Sequence, residues 1–186
     1  RKRFQASVSF SVCWARFIYD PLAHGVWGHD GWLANMGALD FAGGSVVHMS
    51  SGISALVAAK MLGPRIGLGQ EKMEPHDATY VVLGASLLWF GWFGFNAGSA
   101  LETSVDGLAT SAWVVTNTAT AMAGLTYLPV SWGHKGQPSA IGGAVGAVGG
   151  RVAMPPGAGS GECGGPVGEG VGGGVGGVGR AGVGRA

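Results

Sequence analysis

The chain has 186 residues, of which 47% are hydrophobic and only 11% are charged, whereas soluble domains carry about 25% charged residues. This composition excludes an ordinary soluble domain, and a formal net charge of +1 with no basic cluster beyond residues 1–3 gives no reason to expect nucleic-acid binding. The two cysteines, Cys13 and Cys163, lie far apart and define no disulfide or metal framework.

Four apolar runs follow one another along the chain, at residues 4–19, 39–62, 78–101 and 108–132. The last three are long enough to cross about 30 Å of hydrocarbon as helices, which takes roughly 20 residues. The first is short and is broken by Arg16, so we interpret it as a span whose beginning is missing. The pattern predicts an all-α membrane protein that forms a partial transmembrane helix bundle.

The charges between the spans give an independent indication of topology. Lys and Arg occur in segments 1–3, 63–77 and 133–138, and neither occurs in segments 20–38 and 102–107. Because positive residues concentrate on the cytoplasmic side of membrane proteins, this alternation predicts a cytoplasmic N-terminal end. The two segments without Lys or Arg are then expected to face outside.

The composition changes abruptly at Gly142, since 20 of the last 45 residues are glycine. Each glycine destabilises a helix by about 1 kcal/mol relative to alanine, and glycine-rich sequence is typical of flexible chains. We therefore predict two regions. Residues 1–142 form the transmembrane domain, and residues 143–186 form a poorly ordered or degenerate tail without stable tertiary contacts.

An acid and a histidine, Asp40 and His48, mark the start of the second span. Ionisable groups inside a span are costly, and they are interpreted as functional by default. Asp40 falls in the first predicted turn, where its carboxylate can cap free N–H groups, and this structural role stands against direct ligand contact. For His48, a core histidine that bonds across helices stands against a role in a conduction path or proton relay.

The third span contains a run, 89–99, with five aromatic residues among three glycines. One interpretation is interfacial anchoring and close helix packing, since tryptophan favours the membrane boundary. The other places rings along a narrow pore or against a cation, which a tryptophan face attracts by about 2 kcal/mol when the cation is desolvated. Trp27, in the preceding outer segment, is a second candidate of this kind, and composition leaves both interpretations open.

Other kinds of site receive little support from the sequence. His24 and His29 lie beside Asp30, but no further ligands follow at a spacing that suits a metal ion. Gly67 and Gly69 lack the remainder of a nucleotide-binding fingerprint. No nucleophile–base pair is recognisable, so we expect neither an enzyme nor a bound cofactor.

Five ordered blocks of sequence resemble the ammonium transporter family, the Amt/Mep/Rh proteins, and in particular its bacterial Amt branch. They occur in the family's order and spacing and together cover roughly residues 1–142. The blocks are Y-D-P-L-A-H-G-V-W-G (19–28), G-A-L-D (37–40), D-F-A-G-G-S-V-V-H-M-S-S-G (40–52), G-W-F-G-F-N-A-G-S-A (91–100) and G-H-K-G-Q-P-S-A-I-G (133–142).

The resemblance implies a set of site residues. Trp27 and Ser99 match members of the outer site that recruits ammonium, the first by ring–cation attraction and the second by hydrogen bonding. Phe95 matches one of the stacked phenylalanines that close the outer pore mouth. His48 matches the first of two pore histidines, and Asp40 matches an acid below the outer site with a structural or electrostatic role.

The resemblance also implies a fold and an assembly. The family forms homotrimers of α-helical bundles, each subunit with its own pore, and this chain would be an internal fragment from the end of the fourth span through the seventh. The family's second pore histidine and partner phenylalanine lie outside it. Arg16 and Lys60 stand where the family usually has apolar or small residues, and each can snorkel to the membrane surface.

The function implied by the resemblance is ammonium transport. Ammonium is recruited and deprotonated at the outer mouth, and ammonia crosses a hydrophobic pore that contains histidine. An ammonium sensor of the same fold and a non-functional fragment are the alternatives. The expected partners are ammonium or ammonia, the lipid bilayer and a PII-type regulatory protein, and the expected location is the cell membrane, as a multi-pass protein of a bacterial inner membrane.

Overall fold

The computed structural model describes residues 3–71, 75–101 and 107–153. Within these ranges the chain is helical and has no strand, so the prediction of an all-α fold is confirmed. The helices are α1 (Phe4–Trp14), α2 (Asp20–Trp27), α3 (Trp32–Asn35), α4 (Ser50–Leu62), α5 (Ala78–Gly98), α6 (Leu108–Lys135) and α7 (Ala140–Ala153), with π-helical turns at Ala15–Tyr19 and Gly44–Met49.

The first span is longer than predicted, because the helix does not end at residue 19. The π-helical turn Ala15–Tyr19 leads directly into α2, so residues 4–27 form one helical stretch. Pro21 lies at the start of α2, directly after this π-helical turn. The predicted outer segment 20–38 therefore begins as helix.

Arg16 reaches along the same helix to an acid. Its guanidinium lies 3.1 Å from the Asp20 carboxylate, one turn later. Both side chains are largely exposed, so the ion pair adds little to stability. The pair does, however, give the charge on this apolar helix a partner.

The second span begins later than predicted. Residues 39–43 are not helical, and the candidate membrane span runs over Gly44–Leu62. Gly43 has φ +97°, a left-handed conformation that glycine adopts without steric cost. The bend at this residue turns the chain into the helix, so Asp40 precedes the span instead of lying in its first turn.

Two helices of the described ranges are long and apolar enough to cross a membrane, Gly44–Leu62 and Ala78–Gly98. The α6 helix corresponds to the predicted span 108–132 but contains buried polar side chains, including Thr116 and Thr120. These lower its apolar character, and their burial shows that α6 lies inside the bundle.

The α7 helix overturns part of the predicted tail. It crosses the predicted boundary at residue 142 and packs along α6. Gly142 and Gly146 lie against Tyr127, where a β-carbon on Gly146 would come within 2.5 Å of the Tyr127 side chain. The prediction that residues 143–186 lack tertiary contacts is wrong for the described start of that segment, because glycine permits close helix packing that offsets its poor helix propensity. Residues 154–186 lie outside the described residues.

Candidate functional site

The Asp40 carboxylate holds together the start of the second span. Its Oδ1 accepts hydrogen bonds from the backbone N–H groups of Gly43 and Gly44, at 2.7 Å each. Its Oδ2 accepts from the N–H groups of Ser45 and Val46, at 2.8 and 3.0 Å, and from the Ser45 hydroxyl at 2.5 Å. The capping interaction predicted for Asp40 is therefore present, although the carboxylate reaches the helix from outside its first turn.

These contacts determine the ionisation of Asp40. Partial burial opposes the charged carboxylate, but hydrogen bonds from the Ser45 hydroxyl and from the backbone of Val46, Ser45 and Gly43 favour it and lower the pKa of Asp40 below its ordinary value. A negative charge at a helix N-terminus is also favourable for the helix dipole. Asp40 is therefore an anion that organises the backbone before the span.

Trp27 is attached to the same residue. Its indole Nε1–H donates to the backbone carbonyl of Asp40 at 2.7 Å. The ring also approaches Gly43, since a β-carbon there would lie 3.5 Å from the indole. Trp27 remains 46% exposed, so its ring is fixed at one edge and still presents surface to the outside of the protein.

His48 lies in the π-helical turn and packs against two rings of α5. Its imidazole is stacked on the Trp92 indole, with centroids 5.3 Å apart and planes 12° apart, and lies 5.8 Å from the Phe95 ring. Trp92 and Phe95 are themselves 5.3 Å apart. We call His48, Trp92 and Phe95 the aromatic triad.

The polar edge of the His48 ring is enclosed by this packing. Its Nε2 atom is buried and has no hydrogen-bond partner among the residues that the structure describes. A buried nitrogen without a partner is costly. The atom is therefore available to a small polar molecule or to a group from outside the described ranges.

Ser99 lies one turn beyond Phe95 on α5. Its hydroxyl donates to the Phe95 carbonyl at 2.8 Å, so the oxygen keeps lone pairs that can accept a hydrogen bond. Such an acceptor suits a ligand that carries only N–H donors. The structure thus brings His48 and Phe95 into contact, joins Trp27 to Asp40, and places Ser99 next to Phe95.

Trp92 is the member of the triad that sequence reasoning did not single out. The run 89–99 supplied five aromatic residues, and composition alone does not indicate which of them share a helix face. The available signal was spacing, since residues three apart on a helix are neighbours. Trp92 and Phe95 have this spacing.

Comparison with known proteins agrees with this arrangement. The model of the Ammonium Transporter Family matches residues 1–181. The ammonium transporter Amt1 of Archaeoglobus fulgidus is 47% identical over 159 residues, which cover 86% of this chain and 40% of the relative. An ammonium transporter of Bacillus subtilis is 48% identical over 159 residues, which cover 86% of this chain and 38% of the relative.

Solved structures give the same result. The crystal structure of Candida albicans Mep2 matches with a TM-score of 0.87 at 38% identity, over 93% of this chain and 39% of that chain. A structure described as a sensor Amt protein matches with a TM-score of 0.84 at 32% identity, over 96% of this chain and 45% of that chain. The chain spans about two fifths of the length of these relatives. From its sequence and its helical arrangement alike, the chain belongs to the ammonium transporter family.

Proposed function

We propose that the chain is the part of an ammonium transporter that carries the outer recruiting site and the first pore histidine. The observation that carries the proposal is the aromatic triad, in which the His48 imidazole packs against two rings while its Nε2 is buried and has no partner among the described residues. A nitrogen in this setting can exchange a hydrogen bond or a proton with ammonia. Rings around it exclude ions that keep their water.

The proposed outer site uses the chemistry of a small cation that donates hydrogen bonds. Trp27 offers an exposed ring to the positive charge. Ser99 offers a hydroxyl oxygen as acceptor, because its proton is donated to the Phe95 carbonyl. Phe95 lies between this level and His48, because it touches the imidazole and precedes Ser99 by one helical turn. Ammonium would give its proton to solvent water at the outer mouth before passing Phe95 as ammonia, since a bare cation is costly in an apolar pore.

The proposed setting is a homotrimer in a bacterial inner membrane. Exposed apolar side chains on α4 and α5, among them Leu56 and Leu87, support contact with lipid or with further helices. The Bacillus subtilis relative is named an ammonium transporter, which supports ammonium as the substrate and a bacterial location. A PII-type regulator is proposed from the family resemblance alone.

An ammonium sensor is the second candidate function. It is favoured by one observation, the similarity to a structure described as a sensor Amt protein. A sensor would bind ammonium at the same outer residues and transmit the event to a partner. The difference between the two functions is flux, which requires substrate to pass His48.

Transport is tested in a chimera, because the chain covers only part of its relatives' length. The chain replaces the corresponding region of the Bacillus subtilis protein, and we call this chimera the complete transporter. The purified chimera is placed in liposomes, and uptake is measured after an ammonium gradient is applied. Uptake well above that of empty liposomes supports transport. Saturable ammonium binding without uptake would contradict transport and support the sensor.

A further inference from the structure

Three side-chain contacts join one face of α5 to α6. The Trp89 Nε1–H donates to Asn117 Oδ1 at 3.3 Å. The Phe93 ring stacks on Trp113, with centroids 4.7 Å apart. The third contact is a hydrogen bond from Asn96 to Thr116. Positions 89, 93 and 96 recur at helical spacing and therefore form one stripe.

The third contact is a buried hydrogen bond between Asn96 and Thr116. The Asn96 Nδ2 donates to Thr116 Oγ1 at 2.9 Å, and neither side chain is accessible to solvent. The Thr116 hydroxyl donates its own proton to the Ala112 carbonyl at 2.6 Å. Thr116 Oγ1 can therefore only accept from α5, which fixes the orientation of the Asn96 amide.

The same helix carries two members of the aromatic triad. Trp92 and Phe95 touch His48, and Asn96 directly follows Phe95 in the chain. A helix turns by about 100° per residue, so the face that meets His48 lies beside the face that meets α6. Any rotation of α5 about its axis would move Trp92 and Phe95 relative to His48.

We propose that Asn96 and Thr116 are positioning residues for the pore. Their hydrogen bond, supported by the Trp89–Asn117 bond, fixes the rotation of α5 and so sets how closely Phe95 and Trp92 enclose His48. Polar bonds suit this task because they have direction, whereas apolar contacts between membrane helices allow sliding and rotation. The expected effect on selectivity rests on the proposed transport function. The expected effect on the packing of Phe95 and Trp92 against His48 does not depend on transport.

The experiment removes the acceptor while keeping the shape of the side chain. Thr116→Val in the complete transporter leaves the Asn96 amide without its partner. Thr116→Ser keeps the hydroxyl and is the conservative variant. Thr118→Val is the matched control, since the Thr118 hydroxyl bonds the Val114 carbonyl of its own helix and no other group among the described residues.

Two measurements are made on trimers separated by size, so that loss of assembly is counted apart. The first is the ratio of initial uptake rates for ammonium and methylammonium. The second is the chemical shift of the His48 Cε1 proton, which ring stacking displaces. For Thr116→Val we expect the uptake ratio to change by about fivefold, the effect of losing one hydrogen bond, and the proton resonance to move. Thr116→Ser and Thr118→Val should match the parent in both.

The outcomes separate this inference from the transport proposal. An uptake ratio and a His48 resonance that stay at parent values in Thr116→Val would overturn it, as would equal changes in Thr118→Val. If no variant transports ammonium but the resonance moves only in Thr116→Val, transport fails and the positioning role stands. If Thr116→Val does not assemble, the same two measurements are made on Asn117→Leu, which removes the acceptor for Trp89. Parent values of the uptake ratio and of the His48 resonance in that variant would overturn the inference, and changes in both would support it.

Discussion

The His48 imidazole lies nearly parallel to the Trp92 indole, with ring centroids 5.3 Å apart. Stacking of this kind holds a histidine by the face of its ring and uses neither of its nitrogen atoms. His48 is therefore oriented by rings from α5, while the acid closest to it in sequence, Asp40, is occupied by backbone N–H groups. Trp92 thus orients the imidazole, whereas Asp40 binds the free N–H groups at the start of the helix.

His48→Ala in the complete transporter should impair transport or alter its selectivity without preventing trimer assembly. A side chain that transfers a proton is worth about 100-fold in rate, so ammonium uptake per assembled trimer should fall steeply. Phe41→Leu, a nearby apolar change, serves as the control. Uptake at the parent rate and selectivity would show that His48 only fills space, and loss of uptake explained by lost trimer would lead to the same conclusion.

Trp27→Leu should weaken recruitment of ammonium. Loss of a ring that attracts a cation raises the half-saturating ammonium concentration by about 2- to 30-fold, with little change in maximal uptake. Trp32→Leu is a matched control, because Trp32 is also exposed in the outer segment but packs over Gly25. Equal half-saturation values for the two variants would remove Trp27 from the outer site.

Asp40→Asn should destabilise the start of the second span. An amide can accept at only one of the two oxygen positions, so two of the N–H groups of residues 43–46 lose their acceptor, at a cost of about 2–4 kcal/mol. The midpoint of thermal unfolding in detergent reports this change. Asp30→Asn, at an exposed acid, is the control, and matching midpoints for the two variants would contradict the capping role.

The pH dependence of stability follows from the lowered pKa of Asp40. A carboxyl whose folded-state pKa lies below its unfolded value contributes stability that is complete above the unfolded value of 3.8 and is lost as pH falls through the folded pKa. Unfolding midpoints measured from pH 6 downward should therefore converge for the parent and Asp40→Asn in strong acid. A constant difference at every pH would argue against an ionised Asp40.

Topology is tested by labelling in intact cells. Single cysteines at Asn35 and Gln70, both exposed, are placed in a background that lacks Cys13 and Cys163. An impermeant thiol reagent should label position 35 and spare position 70. Segment 63–77, which contains Gln70, carries Arg and Lys and is expected inside, whereas segment 20–38, which contains Asn35, carries neither. Equal labelling at both positions would contradict the assigned orientation.

Gly146→Val should separate α7 from α6. The added side chain meets Tyr127 and the Ala123 carbonyl, 3.0 Å from its β-carbon, and overpacking of this kind costs about 1–3 kcal/mol. Gly133→Val is the matched control, since a β-carbon at Gly133 would have no described atom within 4 Å apart from its chain neighbours and the backbone of its own helix. Unfolding midpoints that fall equally in both variants would point to helix propensity instead of packing.

The apolar runs were sufficient to predict α1, α4, α5 and α6, because spanning segments must satisfy their backbone internally. They could not indicate where the second helix starts, because Leu39, Phe41 and Ala42 extend the apolar run toward the chain's N-terminal side. The bend depends on the positive φ of Gly43, which the run does not reveal. The α7 helix was missed for a different reason. Its glycines are unfavourable one by one and become favourable only against Tyr127, a contact that lies in the tertiary structure.

The site was predictable to a similar extent. The position of Asp40 at the predicted start of the second span indicated a helix cap, and the contacts with Gly43 to Val46 are present. The partners of His48 were not predictable, because they come from α5, some 45 residues later. Nothing in the local sequence indicates which face of α5 meets His48, and the polar residues that fix this face, Asn96 and Thr116, are inconspicuous in the sequence.

Asp40 makes two sets of bonds in opposite directions, with its carbonyl to Trp27 and its carboxylate to the turn that leads to His48. The ring at the surface and the turn that carries the imidazole are consequently both bonded to one residue. A displacement of the Trp27 ring would therefore act, through Asp40, on the turn that carries His48. Under the function proposed above, this residue would link a cation held at the outer ring to the geometry around the imidazole, without a moving domain.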